Sequence, residues 1–367
     1  METLKNQNVL FITRTLGLGG TENVVLQLCE LLSGKVNRLV VCSSGGIHEQ
    51  KLQEMGIKTY LIPDIVCKNP FTVLNTYRSI KNIIKKEQIT MVHSHHRMAA
   101  LYAEIAAHKG IIKVANAHNT FQDKKLLTKF AYRNTNIIAV GEMVRKNLIE
   151  FFEIPDRRIN VIYNAVKPFK GLGNDIPVLN REKEKRHILI GNIGRLSEQK
   201  GMTYFIDAAE IVIRSHPEAR FVIVGDGELK GQLEEYVKSK QLQDTFLFLG
   251  YRNDIQNVIS QLDFIVISSL WEGLPLTPIE AFSVKKTVIG TAVDGTVEII
   301  KNQTNGLLIE PKNYIQLAEK MNYLINNRQD KTRLEENAFL TYKRKFSFNT
   351  FSKAYLTYYE GLLGKMG

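Results

Sequence analysis

The sequence has little cysteine, and it contains no long apolar run. Its 367 residues include three cysteines, Cys29, Cys42 and Cys67, an odd number without CxxC spacing. Such a set predicts neither a disulfide framework nor a zinc site, so reduced structural thiols are expected. No apolar stretch reaches the roughly 20 residues that span a bilayer. Residues 1–8 are polar and lack the apolar centre of a secretory signal, so we expect a cytoplasmic protein.

The fingerprints of common cofactors are also missing. The glycine-rich stretch at residues 16–22 contains neither GxGxxG nor GK[ST], which disfavours NAD and ATP chemistry. His93, His95 and His96 cluster where a strand is predicted to end, but alternate side chains of a strand face opposite ways. A shared zinc ion is therefore disfavoured, and the alternative is that one of the three lines a ligand cleft at the end of the strand. We expect no cofactor and no metal.

The charge is strongly unbalanced toward the basic side. A net charge of +12 and a pI near 9.4 favour anionic partners, which include nucleic acid, anionic lipid headgroups and phosphorylated substrates. No RNP-like, zinc-finger or helix-turn-helix signature accompanies the charge, so a nucleic-acid partner is not expected.

Short β-branched runs alternate with amphipathic stretches along the whole chain. This alternation predicts two α/β domains with parallel sheets flanked by helices, of which residues 23–32, 97–108 and 142–152 are examples. The predicted strands are residues 8–13, 38–42, 90–93, 113–116, 136–140 and 160–164 in the first half, and 188–193, 220–224, 245–249, 263–268, 287–290 and 306–309 in the second.

The domain boundaries follow from where this pattern stops. Residues 1–168 are predicted to form an N-terminal domain, and residues 187–345 a C-terminal domain. Residues 169–186, with proline, glycine and clustered charge, are interpreted as a linker. The tail from 314 to 366 looks helical throughout, and residues 346–367 are predicted to pack back on the first domain.

The most specific motif is a pair of glutamates, Glu272 and Glu280, in a loop that leads into a helix. Thr277 is predicted to cap that helix and Pro278 to lie in its first turn. Backbone amides at the helix start would then bind an anion, while the two carboxylates meet hydroxyls of different ligand parts. The alternative is that Glu280 only complements the helix dipole and Glu272 is a solvated loop residue.

Three further loops carry glycine and charge after predicted strands. In residues 194–201, Arg195 and Lys200 are suited to converge on a diphosphate, although two solvated surface cations are the alternative. The turn at Gly225-Asp226-Gly227 is a weak signal of close backbone approach. In residues 16–22, the glycines would let a phosphate approach amides at a helix start.

In their order, these loops resemble the retaining glycosyltransferases of family four, the group 1 glycosyl transferases. The resemblance spans nearly the whole chain, and it implies an α/β GT-B fold of two facing Rossmann-like domains with a C-terminal helix that returns to the first. It also implies that residues 1–168 are the acceptor-side domain and residues 187–345 the nucleotide-sugar-binding domain. Its motifs are Gly-Gly-x-Glu at 19–22, His-Asn at 118–119, GRL-x3-KG at 194–201 and Glu-x7-Glu at 272–280. The chain departs from the family at Gly141, where many relatives have serine, and at Asp294, where relatives often have glycine.

Roles for individual residues are implied by this resemblance. Arg195 and Lys200 would bind the donor diphosphate and stabilise the leaving nucleotide. Glu280 would bind the ribose hydroxyls, and Glu272 and His118 would contact the donor sugar. The remaining predicted donor contacts are Gly19, Gly20, Gly227, Gly273, Leu274, Pro275, Leu276 and Thr277.

The implied activity is transfer of a hexosyl or N-acetylhexosaminyl group, with retention, from a UDP-linked or other nucleoside-diphosphate sugar. The acceptor would be a hydroxyl of a glycan or lipid-linked molecule in capsule, other cell-surface polysaccharide or glycolipid biosynthesis. Two alternatives stay open: a nucleotide-sugar 2-epimerase of the same fold, and a non-catalytic nucleotide-sugar-binding assembly protein.

Residues 124–133 combine basic and apolar residues at helical spacing. One interpretation is a helix that lies on anionic lipid, at the inner face of the plasma membrane. The other is an ordinary helix that packs Leu126, Leu127 and Phe130 inward with its lysines in solvent. The lipid-linked acceptors of the resembled family favour the first.

Overall fold

The structure is a computed structural model that describes residues 3–17, 19–171 and 175–364, with only the backbone of Asp294. Parts of the sequence predictions lie outside these residues: Leu18 of the first glycine-rich loop, residues 172–174 of the predicted linker, the last residues of the tail and the side chain of Asp294.

Within the described ranges, thirteen strands form two parallel sheets. The strands of the first sheet are β1 (Asn8–Ile12), β2 (Arg38–Ser43), β3 (Lys58–Leu61), β4 (Met91–Ser94), β5 (Ile112–Ala117), β6 (Asn136–Ala139) and β7 (Ile159–Val161). Those of the second are β8 (Ile188–Ile193), β9 (Ala219–Val224), β10 (Phe246–Phe248), β11 (Phe264–Ile267), β12 (Val288–Thr291) and β13 (Leu307–Ile309).

Helices connect these strands. Those before β8 are α1 (Gly20–Leu32), α2 (Glu49–Glu54), α3 (Pro70–Lys86), α4 (Arg97–Ala106), α5 (Lys125–Ala131), α6 (Glu142–Glu150) and α7 (Pro177–Glu184). Those after it are α8 (Met202–Ser215), α9 (Lys230–Ser239), α10 (Ile255–Ser260), α11 (Thr277–Ser283), α12 (Asp294–Ile299), α13 (Tyr314–Asn326), α14 (Arg328–Thr341) and α15 (Phe348–Gly364). In the part of the chain that the structure describes, no helix is both long and apolar enough to cross a bilayer.

The chain divides into two compact units. Unit 1 comprises residues 1–164 and 351–367, and unit 2 comprises residues 165–350. The strand order of unit 1 is β3-β2-β1-β4-β5-β6-β7. This order reverses between β1 and β4, so the loops that follow these two strands open at the same point of the sheet edge, where ligands bind in open α/β sheets.

Unit 2 repeats this topology. Its order is β10-β9-β8-β11-β12-β13, so its reversal lies between β8 and β11, which pair in parallel with Ile265 opposite Gly191. Phe205, Phe221 and Phe246 fill the core on one face of this sheet, with ring centroids 5.1–6.0 Å apart. The packed sheet fixes the positions from which the site loops start.

The prediction of two α/β domains with parallel sheets is confirmed, with local differences. The sequence analysis missed β3, whose four residues are half-buried or exposed and so lack a buried apolar run. Helix α1 begins at Gly20 rather than Asn23. The predicted linker contains α7, which buries Leu179 and belongs to unit 2.

The tail is not helical throughout, as predicted, but consists of α13, α14 and α15 with breaks between them. A π-helical turn, Tyr342–Phe346, ends the second of these helices, and Ser347 is extended. The last helix returns to unit 1, as expected. There it buries Tyr355 and Tyr359, whose hydroxyls bond Asn116 Nδ2 at 2.6 Å and His93 Nδ1 at 2.7 Å.

Candidate functional site

Three loops of unit 2 meet at the carboxyl ends of β8, β9 and β11, and they carry the motifs singled out in the second half of the sequence. Residues 194–201 follow β8 and residues 268–276 follow β11. Two hydrogen bonds join these two loops. Leu270 N donates to Gln199 O at 2.8 Å, and the side-chain nitrogen Gln199 Nε2 donates to Trp271 O at 2.9 Å. The predicted donor motifs of unit 2 therefore come together at the reversal point of the sheet.

Lys200 and Glu272 form an ion pair between these loops. Lys200 Nζ donates to Glu272 Oε1 at 2.5 Å, and the Ser269 hydroxyl donates to the same oxygen at 2.6 Å. Glu272 is buried, whereas the Lys200 side chain is 19% exposed. A charge pair with this limited access to water keeps more of its strength than a surface pair.

Polar residues that the sequence analysis missed hold the lysine loop in place. Asn192 Nδ2 donates to Ser268 Oγ, and this hydroxyl donates to the Lys200 carbonyl oxygen, both at 2.9 Å. Gly201 has a φ of +55° and lies so close that a Cβ would stand 2.3 Å from Ser268 O. The signal that was available is a buried asparagine and two serines in or directly after apolar strands.

Arg195 is placed differently from Lys200. Its side chain is 74% exposed and pairs with the exposed Glu228 at 3.3 Å. Such a surface pair is worth little, so the guanidinium is free to exchange this carboxylate for a bound diphosphate at small cost.

Glycines let the backbones of the loops touch. A Cβ on Gly225, whose φ is +140°, would lie 1.9 Å from Gly194 O, and one on Gly227 would lie 2.4 Å from Leu196 O. A Cβ on Gly295 would lie 1.6 Å from Gly273 O. Gly227 thus has a packing role against the 194–201 loop, and its predicted donor contact stays a prediction.

Helix α11 begins one residue earlier than its predicted cap would require. Thr277 is its first residue and Leu276 its N-cap, with no side-chain capping bond, so the prediction that Thr277 caps the helix is wrong. Pro278 lies in the first turn, as expected, because its fixed φ suits that position. Leu274 and Pro275 are buried, while Leu276 and Thr277 are half-buried.

Glu280 stands in the first turn of α11 and borders a pocket of unit 2. The pocket holds about 500 Å³ of non-protein space, and its other lining residues are Phe169, Asn253, Asp254, Ile255, Gln256 and Asn257. Burial of the carboxyl raises the pKa of Glu280 to about 7, because the charged form loses hydration. The side chain is therefore poised to change charge near neutral pH.

Replacing Glu280 with glutamine is expected to change how the stability of unit 2 depends on pH. The pKa of Glu280 is about 7 in the folded chain against an ordinary 4.5, so folding takes up a proton between these values and wild-type stability falls as pH rises through 7. Glutamine cannot ionise. As the pH rises from 4.5 to 8.5, the free energy of unfolding of E280Q should therefore increase by up to about 3 kcal/mol relative to that of wild type. Urea unfolding of both proteins at these two pH values measures the difference, and parallel curves would contradict a buried carboxyl.

In unit 1, the predicted Gly-Gly-x-Glu loop follows β1 and starts α1. Gly19 is the N-cap, and the Glu22 side chain folds back over it so that a Cβ on Gly19 would lie 2.4 Å from Glu22 Oε2. The Thr15 hydroxyl donates to Glu22 Oε1 at 2.6 Å. Gly46, which the sequence analysis missed, packs directly against the backbone of this loop. It has a φ of +152°, and a Cβ added to it would lie 2.3 Å from the Leu16 carbonyl carbon.

His118 follows β5 and lines a pocket of unit 1 of about 460 Å³. Thr21 of the glycine-rich loop lines the same pocket, whereas the predicted Gly19 and Gly20 are not among its lining residues. The remaining lining residues are His95, His96, Arg97, Asn116, Ala117, Asn119, Phe121, Thr128, Tyr132, Leu148 and Phe152. Burial lowers the pKa of His118 to about 3 and that of His96 to about 4, so both rings are neutral at physiological pH.

The histidine run does not assemble as a metal site. His93 and His95, two residues apart, stack on one face with ring centroids 4.6 Å apart, while His96 Nδ1 accepts from Met98 N at 3.0 Å and caps α4. Among the described residues, no group of three or more His, Cys, Asp or Glu side chains is arranged to hold a metal ion.

Helix α5 contradicts the interpretation that its apolar residues pack inward. Leu126 is 84% exposed and Phe130 is 38% exposed, whereas Leu127 is half-buried. Lys125 and Lys129 pair with Glu153 at 2.6 Å and 2.7 Å, and the Arg133 guanidinium lies 4.4 Å from the centroid of the Phe130 ring. The helix thus presents apolar and basic groups on the same outer surface.

Comparison with known families and proteins gives consistent matches along the chain. The family described as "Glycosyltransferase Family 4" matches residues 18–168, and that described as "Glycosyl transferases group 1" matches residues 177–341. The chain is 30% identical over 320 residues to the UDP-Gal:alpha-D-GlcNAc-diphosphoundecaprenol alpha-1,3-galactosyltransferase of Escherichia coli, covering 80% of this chain and 81% of that protein. It is 27% identical over 337 residues to the phosphatidylinositol N-acetylglucosaminyltransferase GPI3 subunit of Saccharomyces cerevisiae, covering 84% and 72%.

Solved structures show the same architecture. A glycosyltransferase from Rickettsia africae matches with a TM-score of 0.85 at 23% identity, covering 98% of this chain and 99% of that one. Anabaena Alr3699/HepE in complex with UDP-glucose matches with a TM-score of 0.80 at 20% identity, covering 95% and 98%. At these identities the likeness shows the fold alone.

Proposed function

This chain belongs to the group 1 glycosyl transferases of family 4 and is a glycosyltransferase with the GT-B fold, and we propose that it transfers a sugar with retention from a UDP-linked sugar to a hydroxyl of a lipid-linked glycan. The product would serve cell-surface polysaccharide or glycolipid biosynthesis.

The observation that carries the proposal is the pairing of Lys200 with Glu272 at 2.5 Å, at the carboxyl ends of β8 and β11. A diphosphate needs cations, and a sugar needs hydrogen-bond acceptors for its hydroxyls. The pair supplies one of each side by side, and the exposed Arg195 supplies a second cation on the same loop. A donor that places its diphosphate at Lys200 brings its sugar to Glu272.

In the proposed reaction, a C–O bond forms between the acceptor oxygen and the anomeric carbon on the face from which the diphosphate leaves. The bond from the anomeric carbon to the phosphate oxygen breaks, and the acceptor hydroxyl passes its proton to that oxygen. Lys200 and Arg195 stabilise the negative charge that develops on the leaving diphosphate. Glu272 and His118 contact the donor sugar, and the amides of Gly19 and Gly20 face its phosphate or sugar.

Glu280 completes the proposed nucleotide site. Its carboxyl borders the 500 Å³ pocket, which Asn253 and Asp254 also line. Two ribose hydroxyls can donate to the two oxygens of one ionised carboxylate. The ionised carboxylate accepts hydrogen bonds more strongly than the protonated carboxyl. The nucleotide sugar is therefore expected to bind more strongly above pH 7 than below it.

The choice of donor and acceptor rests on the relatives. The name of the Escherichia coli enzyme gives UDP-galactose as its donor and a sugar on diphosphoundecaprenol as its acceptor, and the Anabaena structure contains UDP-glucose. A lipid-linked acceptor also suits a chain of net charge +12, because its diphosphate is anionic.

The test begins with UDP- and GDP-sugars in the absence of acceptor and metal. Thermal shift and nucleotide release should respond to one UDP-sugar. Adding a synthetic lipid diphosphate N-acetylglucosamine should then yield a disaccharide whose anomeric configuration, read by proton NMR, matches that of the donor.

Other outcomes would point elsewhere. A response to GDP-sugars alone would overturn the UDP assignment, and an inverted product would overturn retention. Epimerised donor without acceptor would indicate the 2-epimerase, and binding without turnover for every acceptor would indicate a silent binding protein.

We also propose that the outer surface of α5 contacts an anionic membrane, where a lipid-linked acceptor resides. The surface combines the exposed Leu126 with the basic side chains of Lys124, Lys129 and Arg133. Apolar groups that insert and cations that meet headgroups are the two contributions that hold a helix on such a surface.

Replacing Leu126 with serine is expected to weaken binding to vesicles of anionic phospholipid by about tenfold to a hundredfold, because the burial of one leucine side chain is worth about 1.5–3 kcal/mol. The melting temperature should not change, since the side chain is 84% exposed. Vesicle co-sedimentation measures the effect. Leu340→Ser, at an exposed position of α14 in unit 2, is the matched control. Equal binding by L126S and wild type would contradict this surface.

A further inference from the structure

Three imidazole rings form a continuous array at the pocket of unit 1, which two of them, His95 and His118, line. His93 and His95 stack with centroids 4.6 Å apart, and His95 Nδ1 lies 3.4 Å from Nε2 of His118, within hydrogen-bonding range. The rings of Phe11 and His95 also pack nearly perpendicular to each other, with centroids 5.4 Å apart, so His95 contacts two aromatic neighbours besides His118. His95 is buried, and its other nitrogen, Nε2, has no hydrogen-bond partner among the described residues.

The proton positions on the first ring follow from its partners. Asn116 uses its amide nitrogen to donate to the Tyr355 hydroxyl at 2.6 Å, so its oxygen faces His93 Nε2 at 2.8 Å and must accept. His93 therefore carries its proton on Nε2, and its Nδ1 accepts from the Tyr359 hydroxyl at 2.7 Å. Burial lowers the pKa of His93 to about 4, which keeps this ring neutral.

The same reasoning extends to His95 and His118. A neutral imidazole has one N–H, and a buried N–H without a partner is more costly and rarer than a buried lone pair without one. The unpartnered Nε2 of His95 is thus assigned the lone pair, which leaves the proton on Nδ1. This Nδ1–H donates to His118 Nε2, so His118 must carry its own proton on Nδ1.

We propose that His95 is a positioning residue for His118: its Nδ1–H fixes His118 as the tautomer with Nδ1–H, so that His118 donates a hydrogen bond to a sugar hydroxyl oxygen of the substrate. This inference rests on the proposed function, in which His118 contacts the sugar. It adds three details: Nδ1 of His118 makes the contact, His118 is the hydrogen-bond donor in it, and His95 orients the ring.

Two substitutions of His95 separate positioning from packing. The amide nitrogen of asparagine reaches the place of Nδ1 and can donate to His118, whereas phenylalanine keeps an aromatic ring for the stack but has no donor. His108→Asn, at an exposed histidine whose Nδ1 faces the Lys109 carbonyl, is the matched control. Nitrogen-15 NMR of the histidine-labelled full chain reads the tautomer directly, with the His118 signals assigned from an H118Q variant.

In wild type and H95N, His118 should show a protonated Nδ1 and an unprotonated Nε2, and in H95F this pattern should be lost. With the nucleotide sugar identified among the UDP- and GDP-sugars, H95F should lower kcat by about tenfold or more, while H95N stays within about threefold of wild type. H95F combined with H118A should be no slower than H118A alone. An unchanged tautomer in H95F, or equal losses in H95F and H95N at unchanged melting temperature, would overturn the positioning role. The NMR measurement needs no nucleotide sugar, so it tests the positioning role even if no turnover is found. Absence of turnover would count against the proposed function instead.

Discussion

Lys200→Ala is expected to lower kcat/KM by about 10²–10³-fold, the range seen when one preorganised group that stabilises developing charge is removed. Nζ is the half-buried cation of the proposed diphosphate site, and the exposed Arg195 cannot take its place from the other end of the loop. Steady-state kinetics and titration with the nucleoside diphosphate measure the effect. Affinity for the nucleotide should fall together with turnover.

The control for this substitution is Lys238→Ala, which removes an exposed lysine of α9. Its kinetics should match those of wild type. K200A also leaves the buried Glu272 without its cation, which is destabilising, so K200A/E272A should unfold at a higher temperature than K200A without recovering activity. Unchanged nucleotide affinity in K200A would overturn the assignment of Lys200 to the diphosphate.

Gly225→Ala is expected to destabilise unit 2 by about 3 kcal/mol or more and to weaken donor binding at least tenfold. The glycine has a φ of +140°, which side chains rarely adopt, and its Cβ would lie 1.9 Å from the Gly194 carbonyl oxygen. Relief of this clash requires movement of the loop that carries Arg195 and Lys200. Urea unfolding and nucleotide titration measure the two effects.

Gly231→Ala is the matched control, because it adds the same methyl group six residues later, where the new Cβ has no atom within 4 Å apart from its chain neighbours and the backbone of its own helix. Its position within α9 makes alanine the better helix former, so a gain of about 0.5–1 kcal/mol is expected. If G225A binds the nucleotide as wild type does, the close contact between the β8 and β9 loops is not what shapes the site.

The sequence predicts the architecture well because two kinds of signal are local. Buried strands are runs of β-branched and aromatic residues, and the loops that follow them carry glycines and charges in a recognisable order. The same locality explains the errors. Strand β3 lies at the edge of its sheet and is not buried, so its pattern is weak. Thr277 suits an N-cap by type, but residue type alone does not determine whether the helix begins at Thr277 or after it, and it begins at Thr277.

Contacts between distant residues could not be predicted from the sequence. Neither Lys200 nor Glu272 signals in its own segment that it pairs with the other, 72 positions away. Asn192 and Ser268 look like ordinary polar residues until β8 and β11 are known to be neighbours. Spacing left open whether Leu126 packs inward or faces lipid, because periodicity shows that a helix has an apolar side but not what covers it.

The attachment of α15 to unit 1 also has a consequence for the order in which the protein folds during synthesis. His93 and Asn116 are translated early, but the hydroxyls that satisfy them belong to Tyr359 and Tyr355, which leave the ribosome after all of unit 2. Until then unit 1 holds unpaired polar groups in its interior, which is costly. Nascent unit 1 should therefore stay open and protease-sensitive while unit 2 folds, and a fragment that ends at residue 164 should need α15 supplied as a separate peptide to close.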